Sequence, residues 1–263
     1  MSRWLVTAIP SWLLLAGLIV LICGAAVLIQ RFVRRRFPAL TGEEHNDVTK
    51  FTYGFIGFLY AFFIGFIVSS MWGQINLSEV NARAEGAAAV QMATDAVAFD
   101  AQDRDRVRQT LLAYEQAAIA EWTDNDLIRT AAADTALARV YAAYGQVQAN
   151  TDAQKTRLAT SNSNLDKISQ ARTVRILTAR EDTGPPGPFW VIVLLTSSMV
   201  IGTVVIYGVQ RAHLHSWMVT IVGVIVAANL FLVLQLSHPF FGEVSTSPDP
   251  LHEAVTVLMQ PVP

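Results

Sequence analysis

The stretch Phe51–Trp72, FTYGFIGFLYAFFIGFIVSSMW, carries no charged residue over a length that can cross a bilayer. It constrains the fold more than any other segment. About 20 apolar residues span the hydrocarbon as a helix, because lipid offers no partner to an unpaired backbone group. Wound at about 100° per residue, Phe51, Phe55, Phe58, Phe62 and Phe66 fall on one stripe, which Ser69 continues. Gly54, Gly57, Ala61 and Gly65 form a second stripe roughly a quarter turn away. One helix thus carries a ridge of rings beside a groove of small residues. Such a groove lets helices approach closely, and the ridge must face lipid, another subunit or a pore.

The rest of the chain fits a membrane protein. Of 263 residues, 52% are apolar and only 15% charged, where soluble domains carry nearer a quarter. Mean hydropathy is +0.38. Four apolar blocks approach or exceed a span: about 12–29, 51–72, 189–209 and 217–236. Trp12, Trp72, Trp190 and Trp217 sit at block ends, at interfacial depth. The first block is followed, not preceded, by positive charge, and reads as a retained span rather than a signal peptide. The expected organisation is 1–72 as a first transmembrane pair, 73–187 as a helical extramembrane domain, 188–236 as a second pair, and 237–263 as a C-terminal tail.

Charge sets an orientation. Arg31, Arg34, Arg35, Arg36 and Lys50 lie between the first two spans, and Arg211, His213 and His215 between the last two. The positive-inside rule places both short loops in the cytoplasm, with the termini and 73–187 outside. Abundant Ala and an excess of Arg over Lys point to a GC-rich bacterial genome, and with four apolar helical spans the expected location is a bacterial inner membrane. The net charge of −2 gives no reason to expect a nucleic-acid partner.

Segment 73–187 has no proline before Pro185 and is rich in helix formers. The second span is expected to continue to about Phe99. Asp100 or Asp103 caps a helix ending near Trp122, Asp124 or Asp126 opens another ending near Asn150, and Thr151 or Asp152 caps a last one running to Arg180. Candidate core residues are Leu111, Leu112, Tyr114, Ile119, Trp122, Val140, Tyr141, Tyr144, Val147, Leu158, Leu165, Ile168, Val174 and Ile176. The last helix is polar along much of its length, so it needs a partner. Gly184-Pro185-Pro186-Gly187-Pro188 breaks the chain before the third span.

Chemistry-bearing motifs are scarce. His213-x-His215 is too close in sequence for two ligands on one helix face, so neither a metal nor a cofactor is expected. Cys23 is the single cysteine, which excludes an intrachain disulfide. No nucleophile elbow, P-loop or dinucleotide fingerprint occurs, and an enzyme is not expected. Asn229 in the fourth span, and Ser198 with Gly202 in the third, read as interhelical hydrogen bonding and close packing. No Asp, Glu, Lys or Arg lies inside a span, which argues against a coupled transporter but not against a passive channel.

Several signatures have a family order. Glu44-His45-Asn46-Asp47 precedes the second span, Tyr60-Ala61 lies within it and Trp72 closes it. Glu79 or Glu85 follows near the membrane, Glu121-Trp122 closes a later helix, and Pro239-Phe240-Phe241-Gly242 follows the fourth span. This order resembles the bacterial bestrophin-like domain family and, more distantly, the bestrophin anion channels. The resemblance implies an all-α fold of two plus two spans with a helical extramembrane bundle between the second and third. It also implies a pentamer whose second span lines the pore, so that the Phe51 to Phe66 ridge and Ser69 form the neck. The Arg and Trp-Trp-Glu that bestrophins carry after the second span are missing here. Bestrophins also keep the large segment in the cytoplasm, whereas the charge count of this chain places it outside. The leading expectation is therefore a homo-oligomeric passive channel for small anions. The alternative is a non-conducting scaffold or sensor whose bundle binds a protein partner or the cell envelope. Membrane lipids are expected partners of either.

Overall fold

The computed structural model describes residues 2–38, 46–123, 129–180, 184–209 and 211–261, and among them every regular element is helical. In chain order these are α1 (Ser2–Ala8), α2 (Ser11–Arg36), α3 (Asn46–Asp95), α4 (Ala101–Thr123), α5 (Ala131–Gly145), α6 (Asp152–Arg180), α7 (Gly187–Ile206), α8 (Ala212–Leu236) and α9 (Asp249–Met259). Among the described residues four helices are long and apolar enough to cross a membrane: α2, α3, α7 and α8. The helical segments inserted between the second and third spans complete the expected fold class. The chain divides into two compact units, one of residues 1–74 and 184–244, the other of 75–183 and 245–263.

The first unit is built from the spans. Gly223 of α8 lets that helix approach α2 closely, because a Cβ there would sit 2.9 Å from Cys23 Sγ. Ala26, Val204, Val205 and Val219 form one apolar cluster, and Val6, Leu14 and Leu234 another. Small and β-branched side chains pack here because, in lipid, van der Waals fit rather than water exclusion joins helices. Some buried polar groups are paired across helices near both ends. Gln30 Nε2 lies 3.1 Å from His215 Nδ1, Ser216 Oγ donates to Gln30 Oε1 at 3.2 Å, and Gln235 Nε2 donates to Ser11 Oγ at 3.0 Å.

After α8 the chain turns sharply. The Phe241 N–H donates to the His238 carbonyl at 3.2 Å. Gly242 then adopts φ +93°, and a Cβ there would lie 2.7 Å from Val6 Cγ1 and 2.8 Å from Gln235 Oε1. Both the left-handed backbone and the space demand glycine. The Arg3 guanidinium sits 4.1 Å over the Phe241 ring, which ties α1 to the turn.

The second unit shows how polar helices begin and end. After Asp95, α3 closes with a single 3₁₀ turn at Ala96–Ala98, and Phe99 is extended. Asp100 stands just before α4 and offers its carbonyl to the Arg104 N–H, whereas Asp103 accepts from the Gln148 N–H at 2.9 Å. The start of α5 is set by Thr130, whose Oγ1 accepts from the Ala133 N–H. Asp124 and Asp126 lie outside the described residues. Thr151 and Gln154 form a reciprocal capping box on α6: Thr151 Oγ1 accepts from the Gln154 N–H, and Gln154 Oε1 from the Thr151 N–H, both at 3.2 Å.

The segment read as a tail contains α9, whose Leu251, Ala254 and Leu258 are buried. Arg108 donates to the carbonyls of Val257, Leu258 and Gln260 at 3.2, 2.8 and 2.9 Å, satisfying the open C-terminal end of α9. Gly86 lies against the backbone of Pro250, leaving no room for a Cβ.

Candidate functional site

The span-two part of α3 has distinct faces. Tyr60, Ile64, Ile67 and Met71, at helical spacing, are buried within the first unit. Phe63 stacks on Phe189 with ring centroids 6.4 Å apart. The ridge of Phe51, Phe55, Phe58, Phe62 and Phe66 is free, its rings 58–79% exposed in the single chain, and Ser69 is exposed beside it. Gly54, Gly57 and Gly65 have nothing within 4 Å of the position a Cβ would take, and Ala61 is exposed. The small-residue groove is therefore not filled by this chain's own helices. Gly202 is likewise open, and Ser198 returns its hydroxyl to the Leu194 carbonyl at 2.7 Å. Asn229 is half-buried.

A second site lies in the other unit, among residues that hydropathy ignores. The ladder Ser161, Leu165, Ile168, Arg172, Arg175, Ala179 on α6 runs at steps of four and three and is buried throughout. Its two arginines stand where a core helix would carry apolar residues. Arg172 grips Glu121 with two bonds, Nε to Oε1 at 3.0 Å and Nη2 to Oε2 at 2.7 Å, and reaches Asp134 Oδ1 with Nη1 at 2.7 Å. Glu121 Oε2 also accepts from the N–H and hydroxyl of Thr130 at 2.9 and 3.1 Å. Arg175 donates to Glu85 through Nη2 at 3.2 Å and Nε at 3.4 Å, and its guanidinium lies 4.5 Å over the Trp122 ring. Arg175 Nη1 stands 3.7 Å from Glu121 Oε1, which joins the two pairs. The Tyr114 hydroxyl donates to Glu85 Oε1 at 3.2 Å.

Glu115 completes the cluster and differs from it. It is fully buried, and neither carboxyl oxygen has a hydrogen-bond partner among the described residues. Burial, then the nearby Glu85 charge, push its carboxyl well above the usual carboxylate range, against the pull of Arg175. Glu121 runs the other way. Burial alone would raise it, but the hydrogen bonds from Arg172 and Thr130 and the charges of Arg172 and Arg175 hold it below the ordinary value. Asp134 is lowered in the same manner by Arg172 and Arg129, against burial. Burial and the two neighbouring glutamates push the Tyr114 hydroxyl well up, which keeps it a donor. Glu85, Glu121 and Asp134 thus face Arg172 and Arg175, while Glu115 lies beside them without a hydrogen-bond partner among the described residues. The cluster is closed to solvent, and among the described residues no group of three or more His, Cys, Asp or Glu is arranged to hold a metal.

The family signatures have a physical content in this light. Glu85 rather than Glu79 is the buried one, since Glu79 pairs at the surface with Arg83. Glu121 and Trp122 meet the two arginines, and Gly242 is imposed by its backbone. Glu44 and His45 lie outside the described residues. Of the candidate core residues, Leu111, Tyr114, Trp122, Val140, Tyr144, Leu165, Ile168 and Ile176 are buried. Leu112, Ile119, Val147 and Leu158 are partly exposed, and Tyr141 and Val174 face outward. Arg172, Arg175 and Glu115 escaped the sequence reading. The available signal was the four-three spacing of α6, which places both arginines on its apolar stripe.

Four charge-free spans and a helical insertion with an ionic core define a multi-pass membrane protein. The chain belongs to the bestrophin-like family: the Bestrophin-like domain model matches residues 20–251. Solved structures share the fold at low identity. A crystal structure of a point mutant of a bacterial bestrophin homologue from Klebsiella pneumoniae superposes with a TM-score of 0.71 at 12% identity, covering 94% of this chain and 99% of that one. A second mutant of the Klebsiella pneumoniae homologue gives 0.67 at 13% identity, covering 94% and 97%. A crystal structure described as a mutant membrane protein gives 0.70 at 11% identity, covering 93% and 97%. No curated protein matches the sequence.

Proposed function

We propose that this protein is a homo-oligomeric passive channel for small anions whose second span lines the pore. The observation that carries the reading is the phenylalanine ridge: five rings on one stripe of α3, unoccupied by this chain while the opposite stripe packs inward. Rings arranged around an axis form a hydrophobic constriction, and their edges carry partial positive charge toward an anion. The absence of acidic or basic residues within the spans fits passive conduction rather than coupling. The open groove of Gly54, Gly57, Ala61 and Gly65 beside the ridge supplies a contact for a neighbouring copy. Subunit number follows the family resemblance, a pentamer. By the charge count the short loops face the cytoplasm of a bacterial inner membrane, and the insertion faces outward.

Purified oligomer in liposomes should pass chloride under conditions where a control channel conducts. Absence of flux, with assembly intact, favours the scaffold or sensor. Phe62→Ala should change conductance severalfold and alter assembly on native gels less, since its ring is mostly exposed in the single chain. Loss of assembly instead would make the ridge a subunit contact. Gly57→Leu should cut oligomer yield because a large side chain blocks close approach. Unchanged assembly removes the groove from the interface.

A further inference from the structure

The end of the first unit where α2 finishes and α8 begins is strongly basic. Arg31, Arg34, Arg35 and Arg36 occupy the last two turns of α2, Arg211 precedes α8, and Lys50 lies in the first turns of α3. These are six basic residues, and Asp47 in the first turn of α3 is the one acidic residue of 46–50; Glu43 and Glu44 lie outside the described residues. Arg34 is engaged, its Nη1 donating to the Val209 carbonyl at 3.0 Å, which fixes α2 to the loop before α8. Arg31, Arg35 and Arg36 are exposed, and no acidic side chain among the described residues pairs with them. Arg36 rests 5.4 Å over the Phe37 ring.

These three arginines share a face with two apolar residues. Leu28, Arg31, Phe32, Arg35 and Arg36 line one open concave site of about 440 Å³. At positions i, i+3, i+4 and i+7, Leu28, Arg31, Phe32 and Arg35 form a single stripe along α2. Its lower part is apolar and exposed, with Leu28 at 67% and Phe32 at 62%. Its upper part, at the depth where the span leaves the hydrocarbon, is cationic. A guanidinium offers paired donors matched to a phosphate, and long basic side chains at span ends extend toward the headgroup layer.

We propose that this face binds an anionic phospholipid, its phosphodiester held by Arg31, Arg35 and Arg36 and one acyl chain lying along Leu28 and Phe32. The polarity of the stripe runs in the same direction as that of a lipid. That match separates a lipid from a free anion, which needs no apolar half, and from a zwitterionic lipid, which gains little from three cations.

Native mass spectrometry of the full-length protein in detergent tests this, with dioleoylphosphatidylglycerol and dioleoylphosphatidylcholine titrated separately. Wild type should retain phosphatidylglycerol roughly tenfold better than phosphatidylcholine, and the Arg31→Gln/Arg35→Gln/Arg36→Gln variant should lose most of that preference. The surface control Arg83→Gln/Arg139→Gln should keep it. Equal retention of the two lipids by wild type, or an unchanged preference in the triple variant, overturns the proposal. Should the triple variant not fold, Arg35→Gln alone is compared with wild type by thermal shift. Phosphatidylglycerol should then raise the wild-type midpoint more than that of the variant. An equal rise in both proteins, or an equal rise of wild type with inorganic phosphate, overturns the lipid assignment.

Discussion

The two units solve opposite problems. The spans bury almost no charge and are joined by small and β-branched side chains, with Gly223 against Cys23 and Ala26 among valines. The inserted unit buries large apolar side chains such as Leu111, Tyr144, Leu165 and Ile168, but its helices also converge on Glu85, Glu115, Glu121, Arg172 and Arg175, all at most 3% exposed. In lipid an unpaired charge has nowhere to go, so the spans exclude it. In water a helix as polar as α6 gains specificity by aligning a few ionic contacts that only one register satisfies. Charges that composition alone would assign to the surface therefore lie inside the bundle.

The contrast breaks most decisively at Arg172. Arg172→Met leaves Glu121 buried beside fewer cations, and should destabilise the inserted unit by about 3–5 kcal/mol. Chemical denaturation in mild detergent, followed by tryptophan fluorescence of Trp122, measures it. A double-mutant cycle with Glu121→Gln should show coupling of about 1–3 kcal/mol. A loss under 1 kcal/mol would make the cluster incidental.

Gly242→Ala probes the span unit, where geometry rather than charge is the constraint. The φ of +93° and the contacts with Val6 and Gln235 should together cost about 2 kcal/mol. The loss should be insensitive to pH, whereas that of Arg172→Met should shrink as Glu121 is protonated at low pH.

The finest distinction is at Glu115. Its folded pKa lies above that of the unfolded chain, so its protonated form contributes fully below about pH 4.3, the unfolded value. That contribution is lost as pH rises from there through the folded pKa, with a slope of up to about 1.4 kcal/mol per pH unit. Facing it are Glu85 from α3 and Arg175 from α6, with Tyr114 adjacent on α4. Asp249, His252 and Glu253 of α9 are exposed. Glu115→Gln should flatten this part of the profile and gain on wild type between pH 5 and 8 in thermal melts. Glu121 and Asp134, with lowered folded values, contribute above the ordinary carboxylate range and lose that contribution as pH falls through their own. The acid limb of the profile should therefore survive the Glu115 substitution.

The number of spans and the helical insertion between the second and third were legible in the sequence, because charge exclusion acts locally. Thr151 as a cap was legible for the same reason: its side chain reaches only its own first turn. The start of α5 at Thr130 and the helix at 249–259 were missed. The first depends on Glu121 gripping Thr130 from another helix, and the second on Arg108 closing the α9 carbonyls.

By itself the sequence determined an all-helical, four-span chain with a ring-lined second span, since the bilayer demands internal hydrogen bonding and uncharged length. It also determined the residues of the ridge and the groove, which follow from helical pitch alone. Only the tertiary structure decided that the ridge and groove are left open by the chain's own helices. Only it decided that Arg172 and Arg175 lie inside and that Glu115 stands unpartnered. Those facts depend on which helix faces which, and side chains 51 to 90 residues apart in the chain set them.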